Sequence, residues 1–407
     1  MRVVLLLGIF PQNRYTEIVE NSKGVIQYAA DALQKSFIEG IGSLLDNVSI
    51  LNLPYIGSYP KRYNKFWSIN GNFTYVTRNG NIVRGKNERF CNLSGFKLIS
   101  RYWKTKKALF RWCRDNKEEN KIVIIYAIHT PFLKACIDIK EKYYPSLKVV
   151  LIVPDLPEYM GGKSNRIMDF LRDRNEKILS SLYQKVDGYV LLSKYMADYL
   201  HLNIKWTVIE GIFNNVSDDM LVDKTQNSEV KYIFYSGTLA RRYGILNLVE
   251  AFTQLSNSQY RLVICGDGDS VDEIREYIKQ DNRIIYKGQL PRMDVLKLQR
   301  MATLLVNPRT PEGEFTKYSF PSKTMEYLAS GVPTLLYKLP GIPDEYYQYC
   351  YSLEDTSINA LSKKIEEILV KDEYELMDMG KRARNFILKE KNPIAQCRKI
   401  INLINSL

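Results

Sequence analysis

A chain of 407 residues is too long for one ordinary hydrophobic core and suits two domains of about 200 residues each. Its 45% apolar and 25% charged content is that of a globular protein rather than a disordered one, and no run of eighteen apolar residues offers a spanning helix. The net charge of +13 calls for anionic partners: lipid, phosphorylated substrate or nucleic acid. Six cysteines (Cys91, Cys113, Cys136, Cys265, Cys350, Cys397) show neither C-x-x-C nor framework spacing and read as reduced core residues of a cytosolic protein. Two histidines without ligand spacing argue against a zinc or iron site.

The opening M-R-V-V-L-L-L-G-I-F lacks a long apolar centre and a small-residue cleavage site, so it is expected to be a first buried strand. From there to about Ile212, β-like runs at Val3 to Leu7, Val48 to Leu51, Ile122 to Ala127, Val149 to Val153, Gly188 to Leu192 and Thr207 to Glu210 alternate with helical stretches. That rhythm predicts a parallel, doubly wound sheet. A helix is expected from about Gly24 to Ile38, and no G-x-G-x-x-G follows the first strand, which weighs against a nicotinamide or flavin enzyme.

Tyr55 to Gly95 is aromatic, basic and aperiodic; it reads equally as an acceptor-recognition loop or as an Asn/Gly-rich hairpin closing the domain. Phe96 to Arg114 interleaves seven Lys and Arg with Trp, Phe, Tyr, Leu and Ile, as a helix lying on an anionic membrane or as the solvated face of a core helix. His129 stands just past a strand and before Pro131, a position that favours a site residue. Asp155 and Glu158 follow the next strand, either as acceptor-side candidates or as turn formers between prolines.

Asn214 to Val230 is polar and aperiodic, as a linker should be. A second set of strands is expected at Lys231 to Ser236, Tyr260 to Cys265, Arg283 to Lys287, Thr303 to Val306 and Thr334 to Tyr337. The stretch from Thr303 to Tyr337 reads strand, long loop, helix, strand, with Ser322 as the expected N-cap, Met325, Leu328 and Ala329 on the buried face, and Gly331 and Pro333 as the stop. Its loop sits where α/β sheets bind ligands. Free N–H groups at the helix start, with Arg309, Lys323 and Glu326, suit a phosphorylated, hydroxyl-bearing ligand.

F-P-S-K-T-M-E-Y-L-A-S-G-V-P (Phe320 to Pro333) resembles the donor-binding motif of retaining, nucleotide-sugar-dependent glycosyltransferases of family 4, and within it the subset of bacterial capsule and exopolysaccharide clusters. Tyr235 to Phe252 (Y-S-G-T-L-A-R-R-Y-G-I-L-N-L-V-E-A-F) and Leu262 to Asp269 (L-V-I-C-G-D-G-D) extend the resemblance over nearly all of the second half. It implies that Glu326 binds the ribose hydroxyls of the donor, and that the family's first glutamate falls on Tyr318. It places the family's phosphate-binding Arg and Lys on Thr238 and Tyr243, beside Gly237. Arg241, Arg242, Arg309 and Lys323 are then the cations available for a diphosphate leaving group, although Arg241 and Arg242 also read as plain loop surface. Gly8 is where the family's first loop approaches the donor phosphates, Ser322 opens the donor helix, and His129 falls where the family often has a polar residue near the transferred sugar.

The expectation is therefore an α/β chain of two Rossmann-like domains facing across a cleft, the GT-B fold. Its parts are an acceptor-side domain (1–212), a nucleotide-sugar domain (213–390) and a C-terminal helix (391–407) returning to the first domain. The expected activity is that of a retaining hexosyltransferase that uses no metal or cofactor beyond a UDP- or GDP-type sugar donor. Its acceptor would be lipid-linked or a growing surface polysaccharide, and its place cytoplasmic, with peripheral attachment to an anionic inner membrane face. Histidine 129, Arg242, Lys323 and Tyr318 are the expected catalytic set. The alternatives are an epimerase of the same fold, for which no acid/base pair stands out, and a basic nucleic-acid-binding or interaction protein, which is not expected.

Overall fold

The computed structural model describes residues 1–156, 166–214 and 229–407. The chain divides into two compact units, Met1–Asn214 with Pro393–Leu407, and Asn215–Asn392.

The first unit is built on eight strands: β1 (Arg2–Leu7), β2 (Val48–Asn52), β3 (Gly71–Val76), β4 (Ile82–Asn87), β5 (Lys121–Tyr126), β6 (Lys148–Val153), β7 (Gly188–Leu191) and β8 (Trp206–Val208). Their order is β3-β4-β2-β1-β5-β6-β7-β8. Every pairing is parallel except β3 with β4. Strand β5 is buried along its whole length, and β1 and β6 on all but their first residues, because helices cover both faces of a parallel sheet. The helices are α1 (Tyr15–Glu20), α2 (Tyr28–Leu44), α3 (Lys97–Asp115), α4 (Thr130–Lys142), α5 (Arg166–Tyr183) and α6 (Tyr195–Tyr199). One open reading is decided here and one expectation changes. The segment 71–87 is a hairpin that ends the sheet in an antiparallel edge strand, and the first long helix starts at Tyr28 rather than near Gly24.

The second unit has six parallel strands, β9 (Lys231–Thr238), β10 (Tyr260–Asp267), β11 (Ile284–Tyr286), β12 (Leu304–Asn307), β13 (Thr334–Tyr337) and β14 (Tyr351–Leu353), in the order β11-β10-β9-β12-β13-β14. Its helices are α7 (Ile245–Thr253), α8 (Val271–Gln280), α9 (Arg292–Met301), α10 (Ser322–Ala329), α11 (Ile358–Leu369) and α12 (Glu373–Glu390). Phe234, Val263, Cys265, Leu305, Tyr327 and Val332 form one face of its core.

The last helix, α13 (Pro393–Asn405), belongs to the first unit and packs on α2. Cys397, Ile400, Leu403 and Ile404 enter the core containing Phe37 and Ile41. The two helices meet so closely that a Cβ on Gly40 would lie 2.1 Å from the Pro393 carbonyl oxygen. The cysteines are unpaired and all buried except Cys91, which is half-buried.

Candidate functional site

Parallel strands that end on one edge leave a crevice there, and in the second unit that edge holds a cavity of about 520 Å³. Gly237 and Thr238 come from the end of β9, Gly266 and Asp267 from β10, and Asn307 and Arg309 from β12. Phe320, Pro321, Ser322 and Lys323 bring in the start of α10. The strand ends approach closely: Gly266 has φ +137°, and a Cβ there would lie 1.8 Å from the carbonyl oxygen of Gly237. The Tyr327 hydroxyl fixes α10 to β9 by accepting the Ser236 N–H at 2.8 Å and donating to the Ser236 carbonyl at 3.2 Å.

Two cations line this cavity. Lys323 reaches Glu326 Oε1 at 2.8 Å. Arg309 stacks on Tyr243 (5.5 Å) and Phe315 (4.7 Å) and donates to Ser319 Oγ at 3.0 Å, while its Nε is buried without a hydrogen-bond partner. Burial holds the Arg309 guanidinium below its ordinary value, with nearby Arg242 acting in the same direction. Arg242 lies 4.9 Å over the same Tyr243 ring and donates to its hydroxyl at 3.2 Å. Arg241, in contrast, is turned outward into an ion pair with Glu273 of α8. The short helical turn Arg241–Tyr243 sends these adjacent side chains in different directions.

The expected N-cap is corrected. Ser322 is the first residue inside α10, Pro321 is the N-cap, and no side chain caps the helix. Glu326 is half-buried one turn in, held by Lys323 and by Arg292 at 3.5 Å, and does not itself line the cavity. Tyr318 lies in the loop before α10, also outside the lining. Tyr235, Gln289, Asn307 and Tyr327 line the cavity without having been expected there. Tyr235, Asn307 and Tyr327 sit in or beside strand and helix runs whose apolar pattern reads as core, and only the strand-end location of Asn307 signals a site.

In the first unit the candidates are spread out. The N–H groups of Gly8, Ile9 and Phe10 are consumed at 2.7–2.8 Å by Gln34, Asn52 and Asp31, and the Gly8 position is packed against the Tyr55 ring. The backbone N–H groups of this first loop from Gly8 to Phe10 are thus already satisfied by side chains. His129 N-caps α4, with Nε2 3.2 Å from Arg101 Nη1 and Nδ1 buried without a hydrogen-bond partner. Burial and the charges of Arg101 and Lys97 push the imidazole well below its ordinary value, which favours its neutral form. Asp155 is exposed after β6, and Glu158 lies outside the described residues. Among the described residues no three His, Cys, Asp or Glu side chains are grouped to hold a metal ion.

Residues 217–386 match the family model described as glycosyl transferases group 1. Solved structures of similar fold include sucrose-phosphate synthase from Thermosynechococcus elongatus (14% identity, 100% of this chain and 99% of that one, TM-score 0.62). Others are Anabaena HepE in complex with UDP (12%, 100% of both chains, 0.59) and the lipopolysaccharide outer core galactosyltransferase WaaB in its apo form (13%, 100% and 99%, 0.60). No curated protein matches the chain. The stretch 217–386 of the second unit thus resembles the glycosyl transferases group 1 family, and the chain has the GT-B fold.

Proposed function

We propose that the protein transfers a hexose from a UDP- or GDP-type sugar, with retention and without a metal, to a lipid-linked or growing surface polysaccharide. The observation that carries this reading is the pair Arg309 and Lys323 on a cavity at the strand ends of a group 1 glycosyltransferase domain. Transfer leaves a nucleoside diphosphate whose charge grows in the transition state, and cations held in a partly dry site stabilise it without reorganising. A partly desolvated guanidinium with an unpartnered N–H is suited to an oxyanion. The tyrosine at the family's lysine position supports the same role indirectly, since Tyr243 is the ring on which Arg242 and Arg309 both stack. Glu326, oriented by Lys323 and Arg292, is the group offered to the ribose diol.

The motif Phe320 to Pro333 supports placing the domain with family 4 and its capsule and exopolysaccharide subset, and the UDP held by HepE supports a uridine donor. On the acceptor side, a neutral His129 serves as a hydrogen-bonding group for a sugar rather than as a cation, with Asp155 a further polar contact. Calorimetry with UDP, GDP and ADP, followed by transfer from the matching sugar and assignment of the product anomer by NMR, tests the reading. Nucleotide binding with an anomer-retaining product is expected without added metal. Absence of binding to all three nucleotides would overturn it, and epimerised free donor would replace it with the epimerase.

A further inference from the structure

The charge of +13 is not spread over the chain. Residues 47–114 hold fourteen Lys and Arg against one acid, Glu88, so the rest of the chain is balanced. Glu88 is itself buried and taken by Lys86 and Arg111. This stretch folds into β2, the β3–β4 hairpin and α3, and its cations coincide with large exposed apolar side chains.

On α3 the spacing of three and four from Phe96 through Ile99, Trp103 and Lys107 marks the side opposite buried Arg101, Thr105 and Ala108. Phe96 is 61%, Ile99 57% and Trp103 60% exposed. A helix packed on a core ordinarily turns polar residues outward, and here the first two outward turns are apolar. The patch continues off the helix. The Cys91 N–H donates to Ser100 Oγ at 2.8 Å, Cys91 bridges to Trp67, and the exposed rings of Phe66 and Trp67 meet edge to face at 5.2 Å. Cations ring it: Arg89 lies 5.1 Å over Trp67, and Lys106 5.7 Å from Trp103.

We propose that this surface docks the protein on an anionic lipid bilayer, with Phe96, Ile99 and Trp103 entering to headgroup depth and Lys104 and Lys107 meeting lipid phosphates. Aromatic and aliphatic side chains side by side suit an interface that is apolar below and anionic above, and Lys stems carry their charge between the two. A second copy of the chain would bring two strongly cationic faces together. Nucleic acid would use the cations and rings but leave Ile99 without a purpose. The docking gives a lipid-linked acceptor a place, and only its biological purpose rests on the proposed transfer. Vesicle binding is measured without donor or acceptor, so either idea can fail alone.

The test is sedimentation of the full chain with vesicles of phosphatidylcholine alone or with 30% phosphatidylglycerol. Pelleting with the anionic vesicles and little with the neutral ones is expected. Ile99→Ser with Trp103→Ser, and separately Lys104→Glu with Lys107→Glu, are each expected to lower partitioning at least tenfold while leaving the thermal melt unchanged. Equal pelleting of the Ile99/Trp103 variant would overturn the proposal. So would loss in the lysine variant alone accompanied by equally tight, salt-sensitive binding of single-stranded DNA by wild type and the Ile99/Trp103 variant, which would mark a polyanion surface instead.

Discussion

The guanidinium of Arg309 sits between Tyr243 and Phe315, at 5.5 and 4.7 Å, and lines the cavity beside Lys323. The loop after β12 folds back on the loop after β9, which is adjacent in the sheet, and this brings Arg309 onto Tyr243 although 66 residues separate them. Arg309→Ala and Lys323→Ala are each expected to lower kcat/KM about 10²-fold, the usual result of losing a preorganised charge donor, whereas Arg241→Ala should change it little. Rates measured with the matched donor would reverse this ranking if Arg241 mattered most. For Glu326→Gln, nucleotide affinity by calorimetry should fall by roughly 1.5–3 kcal/mol, the scale of a hydrogen bond to a charged group.

Among the elements, the inner edge of α3 carries an unusual burden. Arg101 is 2% exposed and lowered by burial to about 10, and Lys97, which donates to the Ile56 carbonyl, is lowered to about 7, by burial first and then by Arg101 and Arg62. For Lys97 the unfolded chain holds its proton up to about pH 10.4, so between pH 7 and 10 the unfolded state binds more protons and stability rises with pH. Below pH 7 the lysine is charged in both states and the cost is constant. Lys97→Met should therefore melt above wild type at pH 7, with the gap closing towards pH 10; a gap constant with pH would show that the lysine is not desolvated. Where β9 and β10 pair at Gly237 and Gly266, Gly266→Ala places a methyl on the Gly237 carbonyl at a positive φ. This should destabilise the second unit by at least about 1–3 kcal/mol, read from urea unfolding.

At the scale of the molecule, the first unit is completed by the last fifteen residues of the chain, Pro393–Leu407. Gln396 donates to buried Glu210 at 3.3 Å, and Ile400 and Ile404 cover Phe37 and Ile41. Removing 393–407 exposes that apolar face, so the first unit is expected to melt lower and bind a hydrophobic dye. The thermal shift caused by nucleotide should persist, since every residue lining the cavity belongs to the second unit. Loss of that shift would show the cavity's stability to depend on the first unit.

Strand runs such as Lys121–Tyr126 and Leu304–Asn307, and the helix from Ser322 to the stop at Gly331, were legible because periodicity and the φ preference of glycine are local properties of the chain. The two-sheet architecture followed from their alternation, and the resemblance to glycosyltransferases from the motifs around Thr238, Asp267 and Glu326. The hairpin at 71–87 was one of two open readings, because its pairing with β2 is a contact between distant residues. What only the tertiary structure decided is direction: which of Arg241, Arg242 and Arg309 turns to the cavity, that the amides after Gly8 are consumed by Gln34, Asn52 and Asp31, and that Phe96, Ile99 and Trp103 face outward. A sequence fixes which faces a helix or strand can have. Which face is covered depends on neighbours brought from elsewhere in the chain by packing.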